Sequence, residues 1–334
     1  MAVPGGPALA VAVLSAVMGG VACDRGGLRP ALTPTLVVDR DTRLLVFAPH
    51  PDDEVLAAGG LIQQVREAGG IVHVIYMTSG DAYVESVKIE EHVANPTTTD
   101  YRDYGQQRES EARVAMRSLG VGAWSLTFLG FPNAGLNRLM STYWSERQSA
   151  YRSPYTRRQR PTHSERFIPD TEYRGEDLTQ ELAEIIGDFR PTLMLVPRPE
   201  EQNGDHCSTW FFVADALSDV TRVQPRFRTD LVSYIIHYNA WPLEDDDPVL
   251  KPPDDLDAGV SGWITVLLSD QQVAAKREAV HKYRSQMNAM GWFLDAFVRR
   301  TEVFSRPAPP HVALPIAHSV CDQFEDPARR TKNK

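Results

Sequence analysis

Apolar residues in this chain gather in short stretches, each closed by a polar turn, and the first and fourth of these are continuous. Leu44 to Phe47 is the first, followed by Ile71 to Met77, Trp124 to Leu129, Thr192 to Val196 and Leu231 to His237. Continuous rather than alternating apolarity marks strands covered on both faces, as in parallel sheets. Between the runs the period changes. Val55, Leu56, Leu61, Ile62 and Val65 recur at near-helical spacing until Ala68-Gly69-Gly70 stops them. Tyr101 to Leu119, Glu176 to Phe189 and about Ser208 to Val220 are expected to be further helices. This alternation predicts an α/β protein with a Rossmann-like three-layer fold and a mostly parallel sheet. Asp81 to Asp100 has no clear period and is expected to be a loop. Near the end, Trp263 to Leu268 is expected to be a strand, and Ser269-Asp-Gln-Gln272 forms a capping box opening a helix to about Asn288. A short helix over Gly291 to Arg300 and a strand over Thr301 to Ser305 complete the pattern.

Several stretches fall outside the alternation. Pro7 to Ala22 is apolar, rich in small residues and followed directly by Cys23. Residues 1–23 look like a bacterial lipoprotein signal with a lipid on Cys23; an ordinary secretory signal and an uncleaved anchor are the alternatives. All three export the protein, to a membrane-anchored, periplasmic or secreted location. Residues 24–40 then form a tether, 41–305 the folded domain, and 306–334 a proline-rich irregular tail. Within the domain, residues 138–174 are longer than a usual connection and form a substrate-facing insertion or a mobile lid.

Charge and cysteine content narrow the picture. With 35 basic and 44 acidic residues the net charge is -9, which argues against a nucleic-acid-binding surface. The arginines and aromatics interleaved in 138–174 therefore suit an anionic sugar or lipid head group, or only a solvated surface. Beyond Cys23 the cysteines are Cys207 and Cys321, too few for a disulfide framework, and spacing alone does not show whether they pair.

The densest chemistry follows the first apolar run, in Ala48-Pro-His-Pro-Asp-Asp-Glu54. Pro49 and Pro51 fix the turn, so His50, Asp52 and Asp53 are held at a strand's C-terminal end, where open α/β sheets bind ligands. Two adjacent carboxylates beside an imidazole repel unless a cation offsets them or one takes a proton. Helix capping accounts for one acid but not for His50 or both prolines. A second strand exit, Pro197 to His206, repeats the layout, and sheet geometry brings His206 toward His50 and Asp53.

The run after the first strand resembles the signature of the PIG-L or LmbE-like deacetylases, zinc-dependent hydrolases of N-acetylglucosamine-type amides, and matches extend over about residues 42–290. The resemblance implies zinc, with ferrous iron as the alternative, on His50, Asp53 and His206. It also implies Asp52 as the general base acting on water activated by the metal. Arg108-Glu-Ser-Glu111 resembles the family's Arg-x-x-Glu helix and makes Arg108 a substrate contact. Asn133 stands where the family often has a sugar-binding Asp, and Asn203 where it often has a His that protonates the leaving amine. Asp205 and His237 join the substrate-binding set, with His237 as reserve acid. Lys276 to Gln286 resembles the family's Lys-x-x-Ala-x-x-x-Tyr-x-Ser-Gln run. The expected activity is removal of an N-acetyl group from an amino sugar or glycoconjugate. A different amide, such as a thiol conjugate or antibiotic, and a non-catalytic surface sugar binder are the rivals.

Overall fold

The structure, a computed structural model, describes residues 36–324 apart from 163, 166, 244–246, 260–261, 309–312 and 317–319. The expected export signal, Cys23 and most of the tether lie outside the described residues. No helix among the described residues is long and apolar enough to cross a membrane.

β1 (Arg43–Ala48) leads into α1 (Asp53–Glu67) and returns as β2 (Ile71–Thr78). Residues 84–118 supply α2 (Val84–Glu90) and α3 (Thr98–Ser118), and β3 (Leu126–Phe131) follows. The segment expected to be a loop, Asp81 to Asp100, thus contains one short helix and the start of another. Thr97 explains the second start, since it and Asp100 form a reciprocal capping box. Trp124 is not in β3 as expected but in a 3-10 turn, with its side chain almost fully exposed.

After β3 come α4 (Leu136–Leu139), α5 (Gly175–Phe189), β4 (Leu193–Pro197), α6 (Gly204–Val223) and β5 (Asp230–Tyr234). The chain ends through β6 (Ile264–Leu267), α7 (Asp270–Val280), α8 (Arg284–Asp295) and β7 (Thr301–Phe304). The helix expected to run unbroken from Ser269 to Asn288 stops at Val280. Tyr283 then precedes α8 and its buried hydroxyl donates to Glu54, a contact that sequence periodicity does not encode.

The main sheet has the order β3-β2-β1-β4-β5, with every pair parallel. β6 and β7 form a separate antiparallel pair. Leu44 and Val46 of β1 pack into one hydrophobic cluster while Leu45 and Phe47 pack into another; in β4, Leu193 and Leu195 divide from Met194 and Val196 in the same way. Both faces are covered, which is why these strands read as unbroken apolar runs.

Residues 138–174 are anchored to the domain. Arg102 binds the Thr156 carbonyl, the Tyr173 hydroxyl donates to the Gly130 carbonyl at 2.9 Å, and the Thr171 hydroxyl donates to Glu181 at 2.7 Å. Of the segment's aromatics, Tyr143, Trp144 and Tyr151 pack on the second cluster, while Tyr155 lines the cavity described below. The tail is also tied down: Cys321 forms a disulfide with Cys207, the residue after His206, with Cα atoms 5.6 Å apart. This link closes a loop of 114 residues. Replacing both cysteines by alanine should remove about 2–4 kcal/mol of stability, read from urea unfolding of the oxidised wild type and the variant.

Candidate metal centre and active site

β1 and β4 are neighbours in the sheet although β2 and β3 lie between them in the chain. Strand order reverses there, and such a point opens a crevice beyond the strands' C-terminal ends. The exit from β1 carries His50 to Asp53, and the exit from β4 carries Glu201 to His206. α6 starts four residues earlier than expected because Asn203 caps it: its Oδ1 accepts from the backbone N–H groups of Asp205 and His206. His206 is thereby placed on a rigid first turn.

Three atoms converge in the crevice, Nδ1 of His50, Oδ2 of Asp53 and Nε2 of His206. The two nitrogens lie 3.2 Å apart, and the carboxylate oxygen is 3.4 Å from the first and 3.1 Å from the second. All three residues are buried. Each outward-facing imidazole nitrogen meets another carboxylate: His50 Nε2 is 3.3 Å from Asp205 and His206 Nδ1 is 3.5 Å from Glu201. Such partners turn the ring so that its other nitrogen offers a lone pair inward.

The electrostatics also call for a cation. Burial acts to raise Asp53, yet His206 and His50 hold its carboxyl well below the usual range. Burial pulls His206 down, but Asp53 and Glu201 lift it to about 10, so in the protein alone a proton supplies the missing positive charge. Two imidazoles and one carboxylate match the donor set of zinc or ferrous iron, and the site fits such an ion.

Asp52 lies apart from this group. It has φ 130° and ψ -31°, a left-handed conformation that is strained for a residue with a side chain. Its carboxylate does not cap α1; instead it pairs at 3.1 Å with Arg108 from α3. Burial pushes Asp52 up to about 7 against the pull of Arg108. Glu54 Oε2 accepts the Asp52 backbone N–H at 3.2 Å, and Tyr283 donates to the other Glu54 oxygen.

A cavity of about 360 Å³ opens beside these groups, lined on its polar side by His50, Asp52, Asp53, Arg108, Asn133, Asn203 and His237. The expected substrate residues are thus gathered, but several are engaged by the protein. Arg108 is buried, and besides Asp52 it donates to the carbonyls of Gly80 at 2.8 Å and Pro51 at 2.6 Å, so it braces the Asp52 turn. Asn133 accepts from Ala82 N–H and donates to Asp205. Asp205 corrects the sequence expectation most clearly, because its carboxylate does not line the cavity. It accepts hydrogen bonds from the N–H groups of Ala134, Gly135 and Leu136 as well as from Asn133, while facing His50. Asp205 is therefore a positioning residue.

His237 does line the cavity, its ring 4.7 Å from that of His206 and without a hydrogen-bonded ring nitrogen among the described residues. Burial and the neighbouring His206 lower it to about 3. The ring is neutral at pH 7, which removes it as a pre-protonated acid. Sequence reasoning missed Glu201. Its two oxygens accept from the backbone N–H groups of Ile236 and His237, partners no local pattern reveals.

Comparison with known proteins agrees with this geometry. The profile of the PIG-L family, described as GlcNAc-PI de-N-acetylase, matches residues 45–217. The chain is 28% identical over 283 residues to a 1D-myo-inositol 2-acetamido-2-deoxy-alpha-D-glucopyranoside deacetylase of Mycobacterium sp. (strain KMS), covering 80% of this chain and 82% of the relative. A deacetylase of the same description from Mycobacterium leprae (strain TN) is 32% identical over 178 residues, 53% of this chain and 50% of that one. Among solved structures, a conserved protein from Thermus thermophilus superposes with TM-score 0.50 at 20% identity over 83% of this chain and 100% of its own. The A40926 pseudoaglycone deacetylase has the same TM-score of 0.50, at 20% identity over 82% and 100%. These two show a shared fold. With the matched profile spanning both strand exits that build the site, the chain belongs to the PIG-L family of deacetylases.

Proposed function

We propose that the protein is a metal-dependent N-deacetylase that hydrolyses the amide of an N-acetylated amino sugar in a glucosamine-containing compound. One observation carries this reading: two members of the buried His50, Asp53 and His206 triad, His50 and Asp53, line the same cavity as a separate carboxylate, Asp52. A divalent ion there, zinc by preference of the donor set, would supply a Lewis acid for the carbonyl and lower the pKa of water. The protein's own groups do the rest. Asp52, braced by Arg108, takes the proton of the attacking water and returns it to the leaving nitrogen. The amide C–N bond breaks as the new C–O bond forms, giving a carboxylic acid and a free amine. Asn203 and the neutral His237 ring face the cavity and offer N–H groups to the oxyanion. The names of the mycobacterial relatives support a sugar acetamide as substrate.

Asn203 does not by itself favour a binder that has lost catalysis, since its side chain already caps α6. Asp52→Asn should keep its metal and lose turnover by about 10²-fold or more, measured as amine release from N-acetylglucosamine compounds. Retained turnover would exclude Asp52 as base; lost metal would make it a ligand. Asp205→Ala, which removes the partner of His50, should weaken metal binding by about 10- to 100-fold in chelator competition, even though Asp205 is not a ligand.

We propose in addition that the protein is exported and held at the membrane by a lipid on Cys23. The apolar stretch before Cys23 and the Cys207–Cys321 disulfide, a bond favoured in oxidising compartments, support this. Fractionation should find the chain with membranes, and Cys23→Ser should release or misprocess it. Mature protein in the cytoplasm with Met1 intact would rule out export.

A further inference from the structure

The cavity beside the triad has a second wall of a different kind. Besides the polar groups it is lined by Leu56, Ile236, Met290, Phe293 and Leu294, with Gln286 the polar residue that α8 adds. Leu56 lies three residues beyond Asp53 on α1, on the same side of the helix. Ile236 precedes His237, and the other three belong to α8. Leu56, Ile236, Phe293 and Leu294 are members of the main hydrophobic cluster, and Met290 packs against it. The wall is therefore the face of a close-packed core, preformed before any ligand arrives.

It also begins next to the reacting centre. The His237 ring, 4.7 Å from His206, stacks on Phe293 at 5.5 Å with planes 7° apart. α8 leaves helical geometry at Met290, with φ -151° and ψ 35°. Met290 is half-buried, and its unbranched thioether can adapt to a flexible chain. An acetyl group offers this wall one methyl, whereas a sugar ring is polar over most of its surface. A straight alkyl chain attached at the scissile carbonyl would cover the wall and leave the sugar to the polar part of the cavity.

Resting on the hydrolase reading above, we propose that the site accepts N-acyl groups longer than acetyl: besides the acetamide it takes an amino sugar N-acylated with a medium-length alkyl chain, which lies along Leu56, Met290 and Phe293. The reaction balances as for acetyl. Water adds to the carbonyl carbon, the C–N bond breaks, and the products are the longer carboxylic acid and the free amino sugar.

The test is a series of N-acetyl-, N-butanoyl-, N-hexanoyl- and N-octanoylglucosamine, with the octyl glycoside of N-acetylglucosamine as the arm that puts the same chain on the other side of the sugar. With the metal-loaded full chain, kcat/KM should climb by up to about fourfold per added methylene until the wall is covered. The octyl glycoside should gain little. Met290→Gln, at a position half-buried enough to keep the fold, should lower the ratio of hexanoyl to acetyl kcat/KM by about fivefold or more, the scale of one or two buried methylenes. A fall in kcat/KM beyond acetyl would overturn the inference and leave the deacetylase reading intact, as would a gain confined to the octyl glycoside. If no amide is cleaved, the hydrolase reading fails, and calorimetry on the same protein still decides the subsite. Tighter binding of N-hexanoyl- than N-acetylglucosamine, lost in Met290→Gln, supports it; equal binding overturns it.

Discussion

Two adjacent carboxylates buried together repel, and the architecture around Asp52 and Asp53 depends on separating their counter-charges. Asp53 faces two imidazoles, while Asp52, turned away by its positive φ, faces a guanidinium. Burying such charges is costly unless each is paired and hydrogen-bonded. Each is. The price in backbone strain at Asp52 gives two neighbouring acids different surroundings, and different surroundings let one bind a cation while the other handles protons.

The elements that supply those partners are far apart in the chain. Arg108 comes from α3, His206 from α6, and the carboxylates behind the imidazoles from the β4 exit and the first turn of α6. Asp205 acts as a hub: four donors from residues 133–136 fix its orientation, and it in turn faces His50. Glu201 does the same for β5, accepting from Ile236 and His237 while facing His206. Four strand exits are tied to one another through two buried acids. A site held at this many points is preorganised, which is what a metal centre and a reacting geometry both need. The disulfide at Cys207 and the bond from Asn137 to Asp322 extend the same bracing to the C-terminal tail.

The apolar side of the cavity has another origin. Phe293 and Leu294 are core residues that also form a binding wall, so the packing that holds α8 in the main hydrophobic cluster shapes what the site admits. Substitutions there act on stability and on substrate choice together, unlike changes at Met290, which only packs against the cluster.

The sequence by itself determined the five buried strands, most helices and the fold class, because strands covered on both faces leave continuous apolar runs and helix stops leave Gly. It also determined His50, Asp52, Asp53 and His206 as the group to watch, since two prolines and a strand end confine the first three and a repeated layout points to the fourth. The helix over 84–90 escaped notice because it is short and only Ser86 and Val87 are buried. The roles of Asp205, Glu201 and Arg108 were decided only by tertiary structure, whereas the cap made by Asn203 is local, to N–H groups two and three residues on. An acid reads the same in a sequence whether it faces a sugar or holds an imidazole, and the difference lies in partners 35 to 155 residues away. The partnership of Cys207 with Cys321 and the apolar wall from α8 were likewise decided by distance in space, which residue spacing does not carry.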